Sequence, residues 1–385
     1  MTEDQLRQLV GSPAPEESDA GDRAWPLVRA AYGTRERVPW FERHSRAVLA
    51  LAAVAALGVA AVTPPGRALV ERVREAAGVS PSEPALVRLP APGRLLVDSV
   101  QGPWVVQQDG SKRFLGAYEA ASWSPRGLFA VATRGQRVVA LEPDGDARWT
   151  VTRPGRVADA RWAPSGFRIA YREGPTLRVV VGDGTDDRLF ARGVAALEPA
   201  WHPDETRNVL AYAEAGGRIR AADVDTGEEL WSAPSTGSIA QLLWSADGSR
   251  LLAVSGDGRA RLYDSRGRET GGYEQVTRAA YSPVGDTLAY ATYDPATDTS
   301  TVRLVEDGRT RTLFPGTGRF QDVVWSPNGR WLLVSWPEVD QWLFFRAPSV
   351  RGPGSVSNVA REFDPGGSGT SAFPRVAGWA PSAPS

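Results

Sequence analysis

Nucleophiles, general bases and soft metal ligands are scarce in this chain. Of its 385 residues none is cysteine, two are histidine (His44 and His202), and Lys112 is the single lysine. Without cysteine there are no disulfide staples, thiolate metal sites or cysteine nucleophiles. One isolated lysine argues against a Walker-type phosphate loop or a Schiff-base enzyme. No G-x-S-x-G elbow occurs. His202 fills a turn slot that serine usually takes, and His44 adjoins an apolar stretch, so a Ser-His-Asp triad has no pair of partners. Three acidic groups remain: Asp183, Asp186 and Asp187; Asp223 and Asp225; Asp294 and Asp298. Calcium needs six to eight oxygens, more than these loops offer, whereas Asp followed by Gly is the chemistry of a hairpin turn. No catalytic, cofactor-binding or metal-ligating residue is therefore assigned, no cofactor is expected, and the ligand-binding residues stay open.

Charge narrows the partners. Lys and Arg total 44 against 45 Asp and Glu, a net charge of −1. That balance supplies no basic footprint for nucleic acid.

The elements that would position any site fall into two regions. Ala47 to Val62 is an uncharged apolar run carried by Ala47, Leu49, Leu51, Val54, Leu57, Val59 and Val62. With its flanks it spans roughly 28 Å as a helix, enough for a bilayer core. Residues 45–63 are therefore expected to form a single transmembrane helix. Trp40 and Phe41 stand where an aromatic belt would lie. The arginines on either side tip the orientation slightly towards a cytoplasmic N-terminus. Residues 1–44 read as a cytoplasmic tail, partly disordered with weak helices, able to meet a cytoplasmic protein through Trp25, Val28 and Tyr32. Residues 64–93 read as a juxtamembrane helix and a Pro-rich spacer.

From residue 94 to 385 one signature recurs: an aromatic residue, a small or polar residue, usually proline, a turn, then an apolar strand. The aromatics are Trp123, Trp162, Trp201, Trp244, Tyr281, Trp325 and Trp379, separated by 39, 39, 43, 37, 44 and 54 residues. A period of about 40 is that of a four-stranded propeller blade. Proline presets φ at the first corner of such a turn, and Gly127, Gly166, Gly248, Gly285 and Gly329 supply the positive φ at its end. Before the first motif lie three strand-like pieces without a leader; Arg375 to Trp379 is a leader with nothing after it. Joining them gives a composite closing blade and leaves no open sheet edge. The fold class is all-β, a seven-bladed β-propeller preceded by one transmembrane helix, with six blades as the alternative. Gly352 to Gly369, rich in Gly and Ser, reads as a surface loop.

These motifs resemble the WD-repeat-like, TolB-type propeller repeat, whose turn reads W-S-P-D-G. The resemblance covers residues 94–381. It departs at His202-Pro203-Asp204-Glu205-Thr206, which lacks the glycine, and at Ala246, which replaces the proline. It implies a repeat protein of the cell envelope. The expected function is non-enzymatic: a single-pass membrane protein showing a protein-, peptide- or glycan-binding propeller face outside the cytoplasm. Two alternatives stand beside it. One is a signalling regulator whose order of parts is similar to membrane-bound anti-sigma factors, without their His/Cys zinc motif. The other is an envelope hydrolase or lyase, for which carboxylates converging on the ring's axis would be the mark.

Overall fold

A computed structural model describes residues 88–235, 237–347, 352–364 and 372–382. They form seven four-stranded antiparallel sheets. Six are built from consecutive strands. In these six the motif aromatic ends the innermost strand: Ala120–Trp123, Val157–Trp162, Ala200–Trp201, Ile239–Trp244, Val276–Tyr281 and Val323–Trp325. The seventh sheet is composite. Arg375–Ala380 forms its inner strand and pairs with Arg94–Ser99, with Leu95 opposite Trp379 and Val97 opposite Val376. Each inner strand touches the next one around the ring, including the composite strand on both its sides, so the ring is closed. We call the composite sheet blade 1 and number the others in chain order.

Why the strands are apolar through and through follows from this packing. Successive side chains leave a strand on opposite faces, and in a propeller both faces of an inner or middle strand are covered. Leu95 and Val97 enter the core between blades 7 and 1, while Leu96 enters the one between blades 1 and 2. Val131 packs against blade 3, and its neighbours Ala130 and Ala132 pack against blade 1. Outer strands cover nothing on their far side and are correspondingly polar, as Ala147–Thr152 shows.

The expected turn chemistry is in place. Gly127, Gly166, Gly248 and Gly329 have φ between +65° and +76° and donate their N–H to the motif's second residue, three positions back. Where that residue is serine, as at Ser124, Ser245 and Ser326, its Oγ accepts the N–H five residues on at 2.9–3.0 Å. His202 replaces this serine with its ring. Nδ1 accepts the Asp204 N–H, Nε2 sits 3.1 Å from the Gly248 carbonyl, and the ring meets Trp244 edge-on. Burial holds its pKa below the usual value.

Two readings of the sequence need correction. Gly354–Ser357, inside the stretch read as a loop, is the outer strand of blade 7, and a short helix, Val359–Phe363, follows it. Glycine and serine weaken strand propensity, but pairing with Gln341–Arg346 overrides it. The end of the expected spacer also belongs to the propeller. Leu89 and Ala91 are buried with Val359 and Phe363 against blades 7 and 1, and Leu89 donates its N–H to the Gln108 carbonyl. The lone Lys112 secures the helix by an ion pair to Glu362 and a contact over the Phe363 ring. Among the described residues no helix is long and apolar enough to cross a membrane. The anchor residues Ala47, Leu49, Leu51, Val54, Leu57, Val59 and Val62 lie outside the described residues, as does the 1–44 tail.

Candidate functional site

The seven inner strands surround a central cavity of about 850 Å3. The chemistry of its wall comes largely from one register position, three residues before each motif aromatic. Around the ring that position holds Ala120, Asp159, Glu198, Gln241, Arg278, Asp322 and Val376, and all seven line the cavity. Asp98, Arg161 and Arg375 join them. The cavity therefore gathers four carboxylates and three guanidinium groups.

Inner strands have a ladder partner on one side only, which frees groups on the other side for contact across blades. Gln241 uses this fully: its Nε2 donates to the Ala279 carbonyl at 3.0 Å and its Oε1 accepts the Ala279 N–H at 3.1 Å. Asp322, 4 % exposed, accepts the Val376 N–H and the Ser335 hydroxyl on Oδ2, and faces Arg375 at 3.4 Å through Oδ1. Arg161 pairs with Glu198, its Nε donating at 3.1 Å. Asp159, at φ +56° within a bulged strand, is paired with Arg172.

Two groups in the ring differ from these. Asp98 accepts one hydrogen bond, from the Ala121 N–H at 3.2 Å. Burial pushes its pKa up to about 7, against the opposing pull of Arg161, the Ala121 N–H and Arg375. Arg278 has the Thr277 carbonyl at 3.4 Å and no carboxylate partner among the described residues. Burial, reinforced by Arg375, lowers its pKa. Glu198 answers burial differently: desolvation pushes its carboxyl up, but Arg161, joined by Arg375 and Arg278, outweighs it and leaves the carboxyl below its ordinary value.

The acidic groups singled out in the sequence are elsewhere and do not come together. Asp183 Oδ1 accepts the Thr185 N–H and hydroxyl, and Asp223 Oδ1 accepts the Asp225 and Thr226 N–H groups. Asp294 does the same for the Ala296 N–H, and Asp298 accepts the Tyr293 hydroxyl. Asp187 bonds Tyr171 and Arg178 on the outer part of blade 3. The motif aromatics hold blades together: the Trp201, Trp244 and Trp325 indoles donate to the carbonyls of Arg161, Ala200 and Ala280 in the preceding inner strand. Reading the sequence by motif left the ring residues unnoticed, although counting back three positions from each aromatic finds them.

A second feature lies on the face where the motif turns emerge. A groove of about 750 Å3 between blades 2 and 3 is lined by Leu128, Phe129, Trp149, Trp162 and Phe167, with Arg126 and Arg148 beside them. Phe167 is 68 % exposed and Leu128 39 %. Val284, in the same turn of blade 6, is 60 % exposed.

Comparison with known proteins agrees with the architecture. Residues 228–264 match the WD40 family (WD domain, G-beta repeat). They comprise the outer strand of blade 4 and three strands of blade 5. A chain of the solved structure "Crystal Structure of Mitotic Checkpoint Complex" is similar at 16% identity and a TM-score of 0.50, covering 61% of this chain and 77% of that one. This likeness is one of fold. No curated protein matches the chain in sequence.

Proposed function

We propose that the chain is a non-enzymatic β-propeller scaffold, anchored in a membrane by residues 45–63, that binds a protein or peptide on its motif-turn face outside the cytoplasm. The observation carrying this reading is the set of apolar side chains that the turns hold in solvent. Antiparallel order sends every turn between an inner strand and its neighbour to one face, so Leu128, Phe167 and Val284 share it. Turn tips are ordinarily polar, and large exposed side chains beside a groove, as Leu128 and Phe167 are, mark an interaction surface. Aromatic anchors flanked by arginine, as here with Phe129, Trp149, Arg126 and Arg148, are the residue types that dominate protein interfaces. A chain of this fold forms part of a mitotic checkpoint complex.

Four carboxylates do converge on the axis, the mark that a hydrolase or lyase would carry. Three of them are bonded to arginines (Asp159, Glu198 and Asp322), so no pair of free carboxylates stands ready for acid–base work. That supports the scaffold reading.

Phe167→Ser removes the most exposed ring without touching the core. In-cell crosslinking should yield at least one adduct with the native chain that F167S reduces about tenfold or more, the scale of an interface anchor. Identical adduct patterns would count against the face, and a cytoplasmic C-terminal reporter would count against the topology.

A further inference from the structure

We propose that the axial cavity is a binding site for a small organic anion, whose carboxylate Arg278 receives. The inference starts from a mismatch inside the ring. Arg161 has Glu198, Arg375 has Asp322, and Asp159 has Arg172. Arg278, half-buried in the same wall, has one long contact to a backbone carbonyl.

The neighbouring groups cannot turn to it. Both polar atoms of Gln241 are held by the Ala279 peptide, which fixes the strand one residue from Arg278. Asp322 has both oxygens occupied, and Glu198 is bonded to Arg161. Asp322 and Glu198 attract it from a distance but are bonded to other groups, and a partly desolvated cation with no bonded counter-charge is unfavourable on its own. It becomes favourable when an anion enters, because a guanidinium meets a carboxylate through two parallel N–H···O bonds.

The surroundings fit such an occupant. The cavity volume, about 850 Å3, is that of a small-molecule site. Ala120, Ala240 and Ala280 keep the wall near the charges short and leave room. Asp98 stays largely uncharged below about pH 7, so it adds little repulsion there. A free carboxylate ligand, rather than a bare phosphate, matches a single planar fork with no second unpaired cation beside it.

The test uses the 385-residue chain at pH 6 with succinate, citrate and benzoate as probes and inorganic phosphate as the control. Calorimetry and thermal scans are expected to show binding of at least one carboxylate, with phosphate weaker. Arg278→Gln should weaken that binding about tenfold or more, the equivalent of a charge-assisted hydrogen bond. Its ligand-free melting temperature should equal or exceed that of the native chain, since it removes an unmatched charge. Should R278Q fail to fold, Ala120→Glu adds a carboxylate to the ring from an exposed position and should weaken the same probe. No carboxylate binding up to about 10 mM, phosphate binding as tightly as every carboxylate, or unchanged binding in the variant that folds would each overturn the proposal.

Discussion

Asp98 shows how the ring converts burial into pH dependence. In the unfolded chain its carboxyl ionises at the ordinary value of 3.8; in the folded one it holds its proton to about pH 7. Between those values the folded state binds the extra proton, so this group's contribution to stability is complete at low pH and is lost as pH rises through 7. Asn keeps the carbonyl that accepts the Ala121 N–H and never ionises. Asp98→Asn should therefore match the native chain near pH 4 and exceed it at pH 8. The gain is on the order of 2 kcal/mol, because about 1.4 kcal/mol per pH unit is discounted for a group facing an open cavity. Denaturant titrations at the two pH values measure it, and a difference that does not change with pH would contradict the assignment. Lys112 and His202 are residues whose rarity drew notice in the sequence, and both prove to be fasteners, one for the helix Val359–Phe363 and one for the turn at Gly248.

At the scale of strands and turns, the aromatic-led repeat was readable because one residue serves the same contact in several blades. Trp325→Phe deletes an indole N–H bonded to the Ala280 carbonyl at 3.1 Å and leaves that carbonyl unmet. A loss of about 1–2 kcal/mol is expected. Trp162 has the same place in blade 3, but its indole nitrogen has no partner among the described residues. Trp162→Phe should cost less, and equal costs in urea unfolding would show that the indole bond is not the source. The ring of charges was harder to read for a physical reason. Bulges interrupt the inner strands beside Asp159, Gln241 and Arg278. Each inserts a residue and breaks the period of two from which a channel-facing position is inferred. Gly354–Ser357 was hidden differently: its outer-strand role rests on pairing with Trp342 and its neighbours, and nothing in Gly-Ser-Val-Ser announces a strand. Gly248 marks the limit of substitution in the turns, since φ is +70° and a Cβ there would collide with the His202 ring.

For the whole molecule the decisive contact is between its two ends. Leaderless strands at residue 94 and an unfollowed leader at residue 375 implied a shared blade, and the register of Leu95 with Trp379 realises it. Arg94 reinforces the joint by donating to the Gly127 and Pro381 carbonyls and lying over the Trp123 ring. Gly93 allows the chain to enter, as a Cβ there would strike the Ala380 carbonyl. Closure also completes the channel, because Arg375 and Val376 supply its seventh wall and bond Asp322 of blade 7. The membrane and signalling parts of the expected layout stand in residues outside those described, whereas the ring accounts for itself. Hydrogen exchange of the amides in Arg375–Ala380 tests that ring most directly. Protection comparable to Val157–Trp162 and Ile239–Trp244 is expected; exchange at the rate of a free tail would contradict a propeller closed by its own two ends.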